Sequence, residues 1–206
     1  MDSELLKVFD RNGAHIGTAT RAEVHSKGLW HETFHCWFVS KEKNNYFLHF
    51  QLRSAGKKDY PNLLDISAAG HINAAESVVD GIREVYEELG VDVAIEDLIY
   101  IGSIRDEIIQ DAILDREWGH VFFYMIPSEL QYTFQVEEVA GIMKVELDLF
   151  EQLWLEKIDH VCATGIVVAE NLKQVEVERL VCKGDFLPHN HAYMSSILKE
   201  LKRILE

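Results

Sequence analysis

The sequence predicts an α/β fold in which helices sandwich a mixed β-sheet, with a helical segment appended at the C-terminus. Three observations predict it. Short runs of apolar, β-branched and aromatic residues recur over the first 150 positions, with turn signals between them. A short amphipathic helix bordered by Gly70 and Gly90 interrupts these runs. From Asn190 onward, the segment A-Y-M-S-S-I-L-K-E-L-K-R-I-L carries apolar residues at helical spacing.

The elements follow in order. V-F-D-R-N-G-A-H-I-G holds Asn12-Gly13, a strong hairpin turn signal between apolar alternations. Phe34–Ser40 and Tyr46–Leu52 flank the polar K-E-K-N-N and read as a second hairpin. Leu63–Ile66 is a short strand leading into the glycine-bordered helix. Ser77, with Asp80 three residues on, forms a capping-box pattern worth on the order of 1 kcal/mol. That helix runs to Leu89 and stops at Gly90, the left-handed cap. Leu98–Arg105 and His120–Ile126 are strands, and the almost wholly apolar second one belongs at the centre. Val136–Val145 is extended and Leu147–Leu155 is a short helix. No repeat, low-complexity tract or Pro/Gly linker divides the chain, so residues 1–206 read as one domain. Its core covers 5–150, and 151–206 form a helical extension packed on that core.

Composition narrows the class. A hydrophobic content of 48% over 206 residues supports a full core. Cys36, Cys162 and Cys182 are odd in number and widely spaced, which argues for a reducing compartment over a disulfide framework. The N-terminus M-D-S-E-L-L-K-V-F-D lacks the basic and apolar regions of a signal peptide. No apolar run approaches the roughly 20 residues that span a bilayer. A cytoplasmic protein is expected. The 20 Lys and Arg face 35 Asp and Glu, a net charge of −15 that repels nucleic acid without a concentrated basic patch. A polyphosphate substrate would be repelled too, unless the site supplies divalent cations.

The chemistry concentrates between Gly70 and Val91, in G-H-I-N-A-A-E-S-V-V-D-G-I-R-E-V-Y-E-E-L-G-V. On a helix, residues three and four apart share a face, so Glu84 lies beside Glu87 and Glu88, and Arg83 lies one turn from Glu87. Clustered like charges repel and gain from a cation among them. Hard oxygen ligands suit Mg²⁺ or Mn²⁺, which also bind phosphate oxygens.

This stretch resembles the Nudix box, G-x5-E-x7-R-E-U-x-E-E-x-G-U, where U is a bulky aliphatic. Gly70, Glu76, Arg83, Glu84, Val85, Glu87, Glu88, Gly90 and Val91 match its fixed positions. Six residues, not seven, separate Glu76 from Arg83. The resemblance implies the α/β/α sandwich already expected, and a hydrolase of diphosphate linkages.

A second constellation surrounds it: His25, His31 and Trp37-Phe38, then Arg53, Lys57 and Pro61, then Gly70-His71, then Asp115, Glu117, Val121 and Phe122. Over residues 5–150 it resembles the isopentenyl-diphosphate isomerases, a branch of the same superfamily. The resemblance implies a second metal site of His25, His31, His71, Asp115 and Glu117. Its nitrogen ligands favour Mn²⁺, Fe²⁺ or Zn²⁺. It also implies that Arg53 and Lys57, with Gly70, bind the diphosphate. The isomerases exchange a proton through a cysteine two residues before the Gly-His. Ala69 occupies that position here and cannot do so.

The expected protein is therefore a metal-dependent Nudix pyrophosphohydrolase acting on a nucleoside-diphosphate-type or other organic diphosphate, with Mg²⁺ or Mn²⁺ as cofactor. Glu84, Glu87 and Glu88 hold the metal, Arg83 orients a carboxylate, and Glu87 or Glu88 acts in catalysis. Glu137 and Glu138, in Q-V-E-E-V-A-G, are further candidates for the general base. The alternatives are an isopentenyl-diphosphate isomerase-like enzyme and a metabolite-binding module without turnover. The partner is a small-molecule diphosphate, with no nucleic acid or membrane, and a homodimer is admitted.

Overall fold

In the computed structural model, residues 4–110, 113–127 and 130–206 are described. The first hairpin forms as its Asn-Gly signal requires. β1 (Leu5–Phe9) and β2 (His15–Thr20) pair antiparallel, and Gly13 takes φ +85° in the turn. A helix the sequence reading did not anticipate follows: α1 (Arg21–Lys27), capped by the Thr20 hydroxyl and ended by Gly28 at φ 61°. β3 (Trp30–Glu42) and β4 (Asn45–Arg53) form the second hairpin, followed by the short strands β5 (Leu64–Ile66) and β6 (Ala68–His71).

The glycine-bordered helix is split. Val78–Ile82 wind as a 3₁₀ helix, and only Arg83–Leu89 are α-helical (α2), ending at Gly90 with φ 67°. Asp80 accepts from both the backbone N–H and the hydroxyl of Ser77, at 2.8 and 2.7 Å. The tighter winding accounts for the missing residue of the signature. A 3₁₀ helix rises about 2.0 Å per residue against 1.5 Å for an α-helix, so five residues cover the length of six to seven.

β7 (Leu98–Gln110) and β8 (Ile113–Met125) pair antiparallel, and β8 lies parallel to β3. β9 (Val139–Glu146) leads into α3 (Leu147–Trp154). Beyond it the extension is not purely helical. β10 (Val161–Val168) and β11 (Gln174–Val181) form a hairpin that joins the sheet through β9, and α4 (His191–Leu205) comes last. The long path of the sheet runs β11-β10-β9-β4-β3-β1-β2, with β5 on β4, β6 and β8 on β3, and β7 on β8. The mixed sheet is as expected, and β8, flanked by β3 and β7, is internal.

Successive residues of a strand point to opposite faces, and β3 shows both. Phe34, Cys36 and Phe38 pack with Val85 and Leu89 of α2. Trp37 and Val39 pack with Phe150 of α3 and with Tyr193 and Ile197 of α4. The sheet is thus covered by α2 on one side and by α3 and α4 on the other. No helix among the described residues is long and apolar enough to cross a membrane.

Candidate functional site

Strand β6 separates two groups of chemically active residues. It pairs with β3 so that Gly70 lies opposite Phe34, and His71 opposite Thr33. Phe34 belongs to the face that α2 covers. Gly70 therefore faces α2, and the His71 ring projects to the other side.

On the α2 side, Glu84 presses against Gly70 so closely that a Cβ there would stand 2.1 Å from the Glu84 carboxyl carbon. Only glycine fits. Glu88 is buried, and its Oε2 accepts from the Ala69 backbone N–H at 3.0 Å and from the Gln51 amide at 3.2 Å. Burial pushes the Glu84 carboxyl up to about 7, although Arg83 opposes the shift. Burial, reinforced by the charge of Glu84, raises Glu88 to about 8. Glu87 is half exposed and pairs with Arg83 Nη1 at 3.0 Å.

Arg83 holds this group in order. Its Nε and Nη2 grip the two oxygens of Glu76 at 2.9 and 3.2 Å, the bidentate geometry suited to a planar fork. Nη1 reaches Glu84 at 2.5 Å, and Nη2 also donates to the His71 carbonyl at 3.0 Å. Glu76, set one residue out of register by the short spacer, is returned to Arg83 by the 3₁₀ turn.

On the opposite side, His25 from α1, His31 from β3 and His71 from β6 meet with ring centroids 5.0–5.4 Å apart. The stretch from His25 to His31 is shaped by the end of α1 and the left-handed Gly28. Asp115 Oδ1 lies 3.7 Å from Nε2 of both His25 and His31. His31 Nδ1 faces the Leu29 carbonyl at 3.2 Å, which assigns the hydrogen there and leaves Nε2 its lone pair. That Nε2 and Asp115 Oδ1 are both buried with no hydrogen-bond partner in the protein. Burial, helped by the neighbouring His31, Arg21 and His25, holds His71 well below the usual range and so keeps it neutral.

Ligand atoms of His25, His31 and His71 lie within 4.8 Å of one another, as do those of His31, Asp115 and Glu117. An orphaned buried imidazole nitrogen and an orphaned carboxylate oxygen, with the nitrogens of His25 and His71 close to the first, fit a transition-metal ion. Among the described residues Glu84, Glu87 and Glu88 form no third such set. One or two carboxylates suffice for Mg²⁺, which keeps several waters.

The other two expected substrate ligands are engaged within the protein. Arg53 donates to Asp65 Oδ2 at 2.9 Å, to the Tyr60 carbonyl at 3.0 Å and to the Asp59 carbonyl at 2.8 Å. Lys57 forms an ion pair with Glu138, whereas Glu137 is exposed.

A further layer was not visible in the sequence. Glu117 Oε2 accepts from His35 Nε2 at 3.1 Å, and His35 Nδ1 meets the Tyr193 hydroxyl of α4 at 2.8 Å. Gly119 makes room for that ring, since a Cβ there would stand 2.6 Å from it. Burial holds His35 down to about 4 and lifts Glu117 well above the carboxylate range, with the charge of Asp115 adding to the latter. Nearby, His189 from the extension is buried against Asp65 and Asp106. Burial disfavours its charge, but the two carboxylates outweigh that and raise it to about 10. Asp65 and Asp106 lie in β5 and β7, separated from His189 by 124 and 83 residues. No local motif could have joined them.

No family model matches the chain. By sequence it is 41% identical over 202 residues to an uncharacterised Nudix hydrolase of Clostridium acetobutylicum, covering 98% of each chain. It is 30% identical over 210 residues to Nudix hydrolase 3 of Arabidopsis thaliana, where it spans 98% of its own length and 26% of the plant protein. It is also 30% identical over 141 residues to an isopentenyl-diphosphate Delta-isomerase of Streptomyces coelicolor, covering 66% of this chain and 68% of that one. By structure it is similar to DR0079 from Deinococcus radiodurans, with a TM-score of 0.55 at 19% identity over 75% of this chain and 88% of that one.

Proposed function

The chain belongs to the Nudix hydrolase family, and from that membership we propose that it is a metal-dependent enzyme that hydrolyses the diphosphate linkage of a small organic diphosphate, of the nucleoside-diphosphate type or another. The observation that carries this reading is the pair Glu84 and Glu88, buried side by side against β6. Of these two adjacent carboxyls, raised to about 7 and 8, Glu84 is paired with Arg83, and among the described residues Glu88 has no cationic partner. A divalent cation held there would supply positive charge, neutralise phosphate oxygens and acidify an attacking water.

The side chains take these parts. Glu84, Glu87 and Glu88 would hold the cation, and Glu87, reached by solvent, would take a proton from water. Arg83 and Glu76 keep the carboxylates in register. Arg53 and Lys57 bind the outer phosphate, for which Lys57 releases Glu138. That release frees Glu138 as a second acceptor for the proton.

A second reading, isomerisation of a prenyl diphosphate, is favoured by the His25–His31–His71 cluster with Asp115 and Glu117. Ala69 opposes it, because a methyl group cannot deliver a proton. One experiment separates the two. A panel of organic diphosphates with Mg²⁺ or Mn²⁺ is assayed for phosphate release, and isopentenyl diphosphate for rearrangement. Metal-dependent release, abolished by chelator, supports the hydrolase. Rearrangement without release would replace it.

A further inference from the structure

His189 is a buried titratable group with no part in the hydrolysis just described. It lies in the extension, two residues before α4. Its Nδ1 is 2.6 Å from Asp106 Oδ2 and its Nε2 is 3.0 Å from Asp65 Oδ1. Ionised carboxylates only accept, so both ring nitrogens carry hydrogen and the ring is a cation. The three side chains are 5%, 1% and 8% exposed for His189, Asp106 and Asp65, so this cation is shielded from solvent.

Each arm leads towards the site. Asp65 uses its second oxygen to hold Arg53 Nη1. With Nε and Nη2 donating to the carbonyls of Tyr60 and Asp59, the guanidinium is fixed in direction. On the other arm, Asp106 pairs directly across from Glu117 in the β7–β8 ladder, so the two carboxylates share a face.

We propose that His189 is a positioning residue of the diphosphate site, holding Asp65 and through it the direction in which Arg53 meets a substrate phosphate. The C-terminal extension is then part of the site and not only a layer over the sheet. This inference rests on the reading of Arg53 as a phosphate ligand.

Two amide variants dissect the arms. In His189→Asn the amide nitrogen stands near the former Nδ1, keeping the Asp106 contact and losing Asp65. In His189→Gln it stands near the former Nε2, keeping Asp65 and losing Asp106. Each full-length protein is titrated calorimetrically with magnesium methylenediphosphonate, whose P–C–P bridge resists hydrolysis, beside kinetics and thermal melting. His189→Asn should weaken binding about tenfold and raise KM equally, with kcat within about twofold of wild type, as loss of uniform binding requires. His189→Gln should bind within about threefold of wild type even if both variants melt earlier.

Equal affinities in the two variants would mean a merely structural role and overturn the inference. Should neither variant fold, Asp65→Asn must weaken binding by a similar factor, and unchanged affinity there overturns it as well. A wild type that does not bind the diphosphonate removes Arg53 as a phosphate ligand, and this inference with it. Binding that splits as expected in a protein that hydrolyses nothing would leave His189 in its role and sink the hydrolase reading alone.

Discussion

Gly70 and Glu84 are in such close contact that any side chain at position 70 would displace the carboxylate: its Cβ would fall 2.1 Å from the carboxyl carbon. The glycine is thus a packing requirement of the site. Gly70→Ala should leave the sheet folded and lower turnover about a hundredfold, the scale associated with a 1 Å misplacement. Kinetics and circular dichroism on the same preparation check it. Wild-type turnover would show that Glu84 need not stand where it does.

Glu87→Gln and Glu88→Gln should each lower turnover roughly a thousandfold, about 4 kcal/mol of barrier. They should differ in stability. Glu88 is buried beside Glu84 and its carboxyl must take up a proton to be accommodated there, so a neutral amide should hold or raise the melting temperature of the metal-free protein. Half-exposed Glu87 loses only its pair with Arg83, and little should change. Activity within a few-fold of wild type in both variants would remove them from the mechanism.

The metal-free protein should lose stability as pH rises from 6.5 to 8. Glu84 and Glu88, raised to about 7 and 8, hold protons in the folded state that the unfolded chain has already released. His189, raised to about 10, acts the same way: its contribution is complete below its unfolded value near 6.5 and fades as pH climbs towards 10. His35 and His49, held down to about 4 and 3 by burial, act in the opposite direction, but only below 6.5. Melting temperatures in chelator across this interval test the sign, and Glu88→Gln should flatten the slope. A melting temperature that rises over the interval contradicts the assignment.

Protein purified without added ions should carry transition metal at the histidine cluster, approaching one equivalent. A His31→Ala, His71→Ala double variant should lose it, while the α2 carboxylates retain their Mg²⁺ response. Elemental analysis decides. Less than about a tenth of an equivalent, or a content unchanged in the double variant, would leave α2 as the sole metal centre, since imidazole nitrogen is what selects such metals.

Much of this was legible in the sequence because the signals were local. Asn12-Gly13 announces its hairpin, Ser77 and Asp80 their cap, and Gly90 the end of α2, each through the conformation of one or two residues. The carboxylates of α2 are spaced by helix geometry, so their grouping follows from counting. The hairpin β10–β11 is hard to read because β11 mixes charged and apolar residues on the exposed edge of the sheet, and the short apolar run of β10 does not by itself distinguish strand from buried helix. The partners of His35, and the grouping of Asp65, Asp106 and His189, are illegible for another reason. Their partners come from strands distant in sequence, and a polar residue inside an apolar run carries no mark of what it will face.

The 3₁₀ turn at Val78–Ile82 bears on how such signatures are read. Between Glu76 and Arg83 the constraint is a span in ångströms across which a carboxylate must reach a guanidinium. The number of residues filling that span is free to vary with the pitch of the winding. A pattern written as fixed counts treats this chain as defective at its first glutamate. Written as a distance between two side chains, the same pattern is satisfied. Insertions and deletions in a motif are therefore better judged by whether the backbone can change its rise than by whether the alignment closes.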